Sequence, residues 1–144
     1  MFIKQISVFL ENNSGRLARA TEVLADVKID IRALSIADTT DFGILRLIVN
    51  DPDKAYLALK EAGFTVMTTS VIAIAIDDKS GGLHHCLQIL SAANIGIEYM
   101  YAFCGKAIDK AIVVIRADDN EKAQIVLEKN DMPVLPFEKV EEIL

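Results

Sequence analysis

The sequence predicts an α+β protein built from two copies of one strand-helix-strand-strand-helix-strand unit. The segment from Ile6 to Leu17 returns as Ile72 to Leu83, shifted by 66 residues, and later elements return after two further one-residue slips. Each copy alternates apolar residues with period two before the repeated turn and spaces them by three and four after it. These are the patterns of a strand and of a helix. Repetition of this kind indicates two comparable folding modules.

The first strand and first helix of each copy follow directly from this patterning. Alternate apolar residues mark the strand at Ile6, Val8 and Leu10 and, in the copy, at Ile72, Ile74 and Ile76. An apolar helical stripe runs along Leu17, Ala20, Leu24 and Val27 and returns at Leu83, Cys86, Leu90 and Ala93. Ser14 and Ser80 precede these helices at the place where an N-cap residue is expected.

The remaining elements of the first copy are two strands, a helix and a last strand. Residues 29–36 and 42–49 are apolar strand segments around a polar turn. Asp51-Pro52-Asp53 opens the second helix, because proline suits a first helical turn. Gly63 ends this helix, and residues 64–67 form a short strand.

This element order is the ferredoxin-like βαββαβ unit, an antiparallel sheet with helices on one face. We place the modules at residues 1–68 and 69–144, with the short link Thr68-Thr69-Ser70 between their strands. A module of about 70 residues is marginal alone, so we expect the modules to pack together or to dimerise. The last strand of the second copy lies between Pro133 and Pro136, and the tail after it either forms a helical turn or extends that strand.

Composition narrows the classes of function. The chain has 144 residues, 52% of them hydrophobic, and a formal charge of -6 without a basic stripe, so we expect no nucleic-acid partner. Its longest apolar run, Val71 to Ile76, is far short of the roughly 20 residues of a membrane helix, so we expect no membrane partner. No secretory pattern is visible. Cys86 and Cys104 form no close pair, which indicates reduced core thiols in a cytoplasmic protein.

The repeated turn offers chemistry for a small ligand. Backbone N–H groups at residues 15–17 and 81–83 are expected to lack partners in the helix, and Gly15, Gly81 and Gly82 leave room for close approach. Such a turn suits a carboxylate or a phosphate. Acceptors for an ammonium group are available at Asn12, Asn13, Asp30 and Asp78. Together these groups suggest a free amino acid, while the alternative is that the turn serves only local folding.

Residues that would favour an enzyme are explained more simply. His84, His85 and Cys86 are helical neighbours, which point about 100° apart and do not form a zinc site. Cys104 has no acid or histidine at a nucleophile spacing, and Tyr99, Tyr101 and Phe103 form a core or interface row. Arg16 could bind a carboxylate through its fork, although an exposed arginine at a helix start is the ordinary case. We therefore expect no catalytic group, no metal and no cofactor.

The motifs of both copies resemble the ACT domain. In the first copy the matching motifs are Asn12-x-Ser14-Gly15-x-Leu17 and Ile29-Asp30-Ile31. In the second copy they are Asp78-x-Ser80-Gly81-x-Leu83 and Asn94-Ile95-Gly96-Ile97. The resemblance covers nearly the whole chain as two domains and leaves no room for a catalytic one. It departs from the family pattern at Ser14 and Ser80, where proline is usual, and at Asp30, where asparagine is common.

The resemblance implies a regulatory module that binds a small molecule, typically an amino acid, at an interface between paired domains. Family contacts carried onto this sequence, with the glycines and arginine above, give a set of ligand residues: Asn12, Asn13, Ser14, Gly15, Arg16, Leu17, Asp30, Ile31, Asp78, Ser80, Gly81, Gly82, Leu83 and Ile95. We therefore expect a non-catalytic sensor or regulatory subunit, a homodimer with a possible enzyme partner. The alternative is a protein-interaction module that regulates an enzyme without binding a ligand.

Overall fold

The computed structural model describes residues 2–11, 13–38, 42–104 and 109–143. The chain divides into two compact units, a first unit of Lys4–Thr69 and a second unit of Ser70–Leu144 with Met1–Ile3. The elements in chain order are β1 (Ile3–Glu11), α1 (Arg16–Asp26), β2 (Ile31–Asp38), β3 (Phe42–Val49), α2 (Pro52–Glu61), β4 (Thr65–Asp77), α3 (Gly82–Ala92), β5 (Ile97–Cys104), β6 (Lys110–Ala117), α4 (Asn120–Lys129) and α5 (Phe137–Ile143).

In the first unit, β3 lies between β2 and β1 and is antiparallel to both. Leu45 and Leu47 of β3 lie opposite Val8 and Ile6 of β1, so one face of the sheet is apolar. That face forms a core with residues of both helices: Ala20, Val23 and Leu24 from α1, and Ala55 and Leu59 from α2. The predicted α+β fold, an antiparallel sheet with its helices packed on one face, is confirmed here.

The second unit repeats this arrangement, with β6 between β4 and β5 and antiparallel to both. Ile72, Ile74 and Ile76 face a core that contains Cys86 and Leu90 of α3 and Ala123 and Leu127 of α4. Cys86 is fully buried, as expected of a core thiol. The side chain of Cys104 lies outside the described residues.

The start and end of the second helix in each unit are set by capping residues that can be recognised in the sequence. Asp51 accepts a hydrogen bond from the N–H of Lys54 at 3.2 Å, and Asp119 accepts one from Lys122 at 3.0 Å, so both second helices have N-cap aspartates. Pro52 occupies the first turn of α2, and Gly63 follows its end with φ of +93°. The predicted start and end of α2 are therefore confirmed.

Three expectations about the strands need correction. The predicted link Thr68-Thr69-Ser70 is part of the continuous strand β4, because no glycine or proline interrupts its β-branched residues. Strand β2 begins at Ile31 rather than residue 29, because the N–H of Ile29 still bonds to the carbonyl of Leu24 in α1. The last strand of the second copy is reduced to one bridge, Ile74 with Val134, because the flanking prolines supply no N–H.

The tail resolves into helix α5, whose Val140 is fully buried. Of the two conformations left open by the sequence, the helical one is therefore found. The longest described helices have 11 residues, and none of the helices in the described ranges is long and apolar enough to cross a membrane.

Candidate functional site

The turns that begin α1 and α3 share one backbone conformation. Gly15 has φ of +90° and Gly81 has φ of +87°, and each occupies the N-cap position without a side-chain capping bond. The predicted serine N-caps at Ser14 and Ser80 are therefore wrong by one residue. The left-handed conformation of the cap explains this, because glycine adopts it without steric cost.

Some of the backbone N–H groups that the sequence predicts to be free are hydrogen-bonded within these turns. The N–H of Arg16 bonds to the carbonyl of Asn13 at 3.3 Å, and the N–H of Gly82 bonds to that of Lys79 at 3.1 Å. Helix geometry leaves the next N–H groups, at Leu17 and Leu83, without an acceptor inside the helix. The donor set for an anion is therefore smaller than predicted, and side chains must do more of the recognition.

Arg16 stands between two cavities of the first unit. An edge cavity of about 150 Å³ lies toward β2 and β3, and its walls are Leu10, Glu11, Asn13, Arg16, Leu17, Ile36 and Gly43. A larger aromatic cavity of about 350 Å³ is lined by Phe9, Leu10, Glu11, Arg16, Phe42, Gly63 and Thr65. Arg16 is therefore a wall of both cavities.

The arginine side chain is held by an aromatic ring and not by an acid. Its Cζ lies 4.3 Å from the centroid of the buried Phe64 ring, a cation–π contact. Its Nε is fully buried and has no hydrogen-bond partner among the described residues. A buried donor without a partner costs about 1–3 kcal/mol. The ordinary case, a solvated arginine at a helix start, does not apply to Arg16.

The walls of the aromatic cavity supply apolar surface and one carboxylate. The rings of Phe9 and Phe42 are 6.0 Å apart between centroids and inclined by 59°. Glu11 lies opposite Phe42 in the strand register, and one of its carboxylate oxygens accepts a bond from the Asn13 amide at 3.2 Å. A cation, an anion and two rings thus meet at the end of the sheet where β1 stops and β3 begins.

The remaining predicted residues of the first copy divide into two groups. Asn13, Arg16 and Leu17 line the edge cavity, whereas Asp30 and Ile31 line neither cavity beside Arg16. The carboxylate of Asp30 pairs with Arg32 at 3.5 Å, and its backbone N–H bonds to the Asn50 side chain at 2.9 Å. Ile31 packs against the core. Asn12 lies outside the described residues.

The second copy builds its turn differently. Gly82 is buried, and a Cβ at this position would lie 2.1 Å from the carbonyl oxygen of Asp77. Its lack of a side chain therefore serves close backbone packing. Asp77, which corresponds to Glu11, pairs with Lys110 and with Lys79, and the Lys110 ammonium lowers the pKa of its carboxyl group.

The other predicted residues of the second copy do not converge on a cavity among the described residues. Asp78, Ser80 and Gly81 lie on the exposed turn, and Leu83 is 39% exposed. Ile95 instead lines a shallow depression of about 510 Å³ at the far end of α3, with Asn94, Gly96 and Asp118. There the N–H of Gly96 bonds to the Asp118 carboxylate at 3.0 Å, the counterpart of the Asp30–Asn50 bond.

Sequence reasoning missed the three phenylalanines around Arg16. Phe9 lies on the strand positions that alternate with the core residues, Phe42 begins a strand, and Phe64 follows the glycine that ends α2. Each has a local explanation, and only the fold brings them to one place. The available signal was their absence from the second copy, where the equivalent residues are Ala75, Lys110 and Met132.

Metal binding finds no geometric support in the described ranges. His84 and His85 are exposed and Cys86 is buried below them. Within residues 2–11, 13–38, 42–104 and 109–143, no three His, Cys, Asp or Glu side chains come together as metal ligands. Burial raises the pKa of the Cys86 thiol to about 11, so this group is a poor nucleophile at neutral pH.

Comparison with known proteins identifies the family. A solved protein structure from Bacteroides thetaiotaomicron matches 97% of this chain and 96% of its own, with 46% identity and a TM-score of 0.91. The regulatory subunit of aspartate kinase from Thermus thermophilus, in a ligand-free form, shares the fold at a TM-score of 0.63. It has 16% identity, over 89% of this chain and 93% of its own.

Among curated proteins, none matches this sequence significantly. The family model described as "ACT domain pair" matches residues 1–143. The chain therefore belongs to the ACT domain family, as a pair of ACT domains in tandem.

Proposed function

We propose that this protein is a non-catalytic sensor or regulatory subunit that binds a free amino acid at an interface between paired ACT domains. We assign residues 1–68 and 69–144 to the two domains. The observation that carries the proposal is Arg16, a cation with no acidic partner among the described residues that lines two cavities at the family's ligand-binding turn. The Thermus thermophilus structure, a regulatory subunit of aspartate kinase, supports a regulatory role through its shared fold.

The pairing partner in this proposal is a second copy of the chain. Strand β2 is at one end of the strand order, so its outer backbone groups are available for another strand. Leu17, Leu34 and Ile36 lie on or beside this edge and are 41%, 50% and 46% exposed. Burying such side chains against a second copy would gain free energy and would close the edge cavity, which Leu17 and Ile36 line.

A thermal-shift panel of the twenty amino acids tests the sensor proposal. A ligand at about 100 times its dissociation constant stabilises the folded state by about 2.7 kcal/mol, which gives a clear rise in melting temperature. At least one amino acid should raise it. If none does at millimolar concentration, the protein does not sense amino acids.

Light scattering on the purified protein tests the dimer. Ile36→Glu places a charge on the β2 edge and should convert the dimer to a monomer. Leu57→Glu is the matched control, because Leu57 is 57% exposed on α2. A wild-type monomer, or an Ile36→Glu dimer as stable as the control, would exclude the β2 edge as the interface.

The alternative function is a protein-interaction module that regulates an enzyme without a ligand. Its support is the exposed apolar surface, which suits a protein partner as well as a second copy. Affinity capture from the native cell, with and without added amino acids, separates the two functions. Recovery of one partner that is independent of amino acids would favour the interaction module.

A further inference from the structure

We propose that the aromatic cavity of the first unit binds one free amino acid with an aromatic side chain, and that the second unit has no equivalent site. Arg16 holds the ligand carboxylate, Glu11 holds its ammonium group, and the Phe9–Phe42 pair contacts its ring. This inference rests on the proposed function, because it names the ligand class of the sensor. It differs in placing every recognition group in one unit instead of across the interface.

The carboxylate assignment follows from the state of Arg16. Stacking over Phe64 fixes the guanidinium plane and leaves its donors without a protein carboxylate, since no ion pair of Arg16 is found within the described residues. The terminal nitrogens of Arg16 are not among the buried atoms, and no hydrogen bond from them is found in the described ranges, so they can donate to a ligand. A carboxylate can accept from two guanidinium nitrogens at once, which matches the planar fork of the side chain.

The ammonium assignment follows from charge. The chain carries a formal charge of -6, so a simple carboxylate ion is repelled overall. A zwitterion has no net charge and avoids this repulsion. Glu11 lines the same cavity and uses one carboxylate oxygen for Asn13 at 3.2 Å, which leaves acceptor capacity for an ammonium group.

The aromatic side chain is assigned from the shape and composition of the walls. The two rings, 6.0 Å apart and inclined by 59°, present faces and edges of the kind that aromatic pairs use. The cavity volume of about 350 Å³ is at the lower end of the roughly 300–1,000 Å³ typical of small-molecule pockets. This size suits a ligand as small as one amino acid.

The second copy lacks each of these features at the corresponding positions. Phe64 and Met132 are structural equivalents, because their N–H groups bond to Leu59 and Leu127 at 3.0 Å and 2.9 Å. Ala75 takes the place of Phe9 and Gly82 that of Arg16. Lys110 takes the place of Phe42, because it lies opposite Asp77 as Phe42 lies opposite Glu11. The carboxylate that replaces Glu11, that of Asp77, is already paired with Lys110 and Lys79. One site per chain is therefore expected.

Isothermal titration calorimetry with L-phenylalanine tests the site. The wild type should bind one equivalent per chain. Arg16→Gln should weaken binding about 10- to 100-fold, the usual effect of losing hydrogen bonds to a charged group. Arg19→Gln is the matched control, because Arg19 is on the same helix, pairs with the exposed Glu22 at 2.5 Å and lines neither cavity. Circular dichroism melting confirms that each variant is folded.

Ligand analogues test each part of the recognition. 3-Phenylpropionate lacks the ammonium group and phenethylamine lacks the carboxylate, so each should bind at least about tenfold more weakly than L-phenylalanine. Phe42→Ala should also weaken L-phenylalanine binding, and because Phe42 is 41% exposed its removal should leave the fold intact.

The outcomes separate this inference from the proposed function. Unchanged affinity in Arg16→Gln, or two equivalents per chain, would overturn the cavity assignment while amino-acid sensing stands. Stabilisation by non-aromatic amino acids alone would overturn the ligand class in the same way. If the wild type binds none of the twenty amino acids, the proposed function fails together with the inference.

Discussion

Replacement of Gly82 by alanine should destabilise the second unit, and the structure shows why. The added Cβ would lie 2.1 Å from the carbonyl oxygen and 3.2 Å from the carbonyl carbon of Asp77. Non-bonded carbon atoms prefer separations of about 3.5–4.0 Å. The obstacle is backbone and not the flexible end of a side chain, so the start of α3 or the end of β4 must move by about 1 Å to restore contact distances.

That movement has a calculable cost. Overpacking of a close-packed region costs typically about 1–3 kcal/mol. The helix propensity of alanine over glycine offsets at most about 1 kcal/mol of this. The shift also strains the bond from the Gly82 N–H to Lys79, which is 3.1 Å long. We expect a net loss of about 1–2 kcal/mol in the free energy of unfolding.

Urea denaturation followed by circular dichroism measures this loss, and hydrogen exchange locates it. Exchange should accelerate in α3 more than in α1. Gly43→Ala is the control, because a Cβ there would meet its nearest atoms at 3.6 and 3.7 Å, which is ordinary contact. If Gly82→Ala were as stable as the wild type and Gly43→Ala, the close approach of Asp77 would not be a constraint on the protein.

Three further predictions concern the shared turns, the strand connections and the buried thiol. Gly15→Ala and Gly81→Ala should each lower stability by about 1–2 kcal/mol, because φ near +90° is costly for any residue with a Cβ; equal melting temperatures of variants and wild type would contradict this. Asn50→Ala and Asp118→Ala should each lower the free energy of unfolding by about 0.5–1.5 kcal/mol, because each removes a hydrogen bond to the N–H of Asp30 or Gly96. If only one of the two variants is destabilised, these bonds differ in role between the copies. Burial raises the pKa of the Cys86 thiol from 9.0 to about 11, so between these pH values the folded state keeps a proton that the unfolded state loses. The free energy of unfolding, measured by urea denaturation, should therefore fall as the pH rises from 9 to 11. The fall should be smaller in Cys86→Ala.

The repeat predicted the fold because the residues that start and end its helices can be recognised in the sequence. Gly15 and Gly81 mark left-handed positions, and Asp51 with its counterpart Asp119 marks a helix start. These residues act on their immediate neighbours, so their spacing suffices to place the elements. The same spacing did not predict that residues 68–70 would continue a strand, because strand continuity depends on pairing with neighbours distant in sequence.

The candidate site was only partly predictable for the same reason. Arg16 stood out because it occupies the repeated turn, and Asn13 and Leu17 were found with it. Phe9, Phe42 and Phe64 were not, since they come from three elements and each resembles an ordinary core or strand residue. Asp30 was expected to face a ligand, yet its N–H bonds to the Asn50 side chain and its carboxylate pairs with Arg32.

The difference between the copies at Arg16 and Gly82 lies in the backbone as well as in the side chain. Both turns have the same left-handed glycine, but the residue after it in the second turn would have its Cβ 2.1 Å from a carbonyl oxygen. An arginine therefore cannot be transplanted to position 82 without moving the start of α3. Gly82→Arg should lose stability and gain no second site, and calorimetry on this variant should still give one equivalent of L-phenylalanine per chain. Two equivalents would show that the side chain alone makes the site, and that the packing of the α3 start does not restrict it.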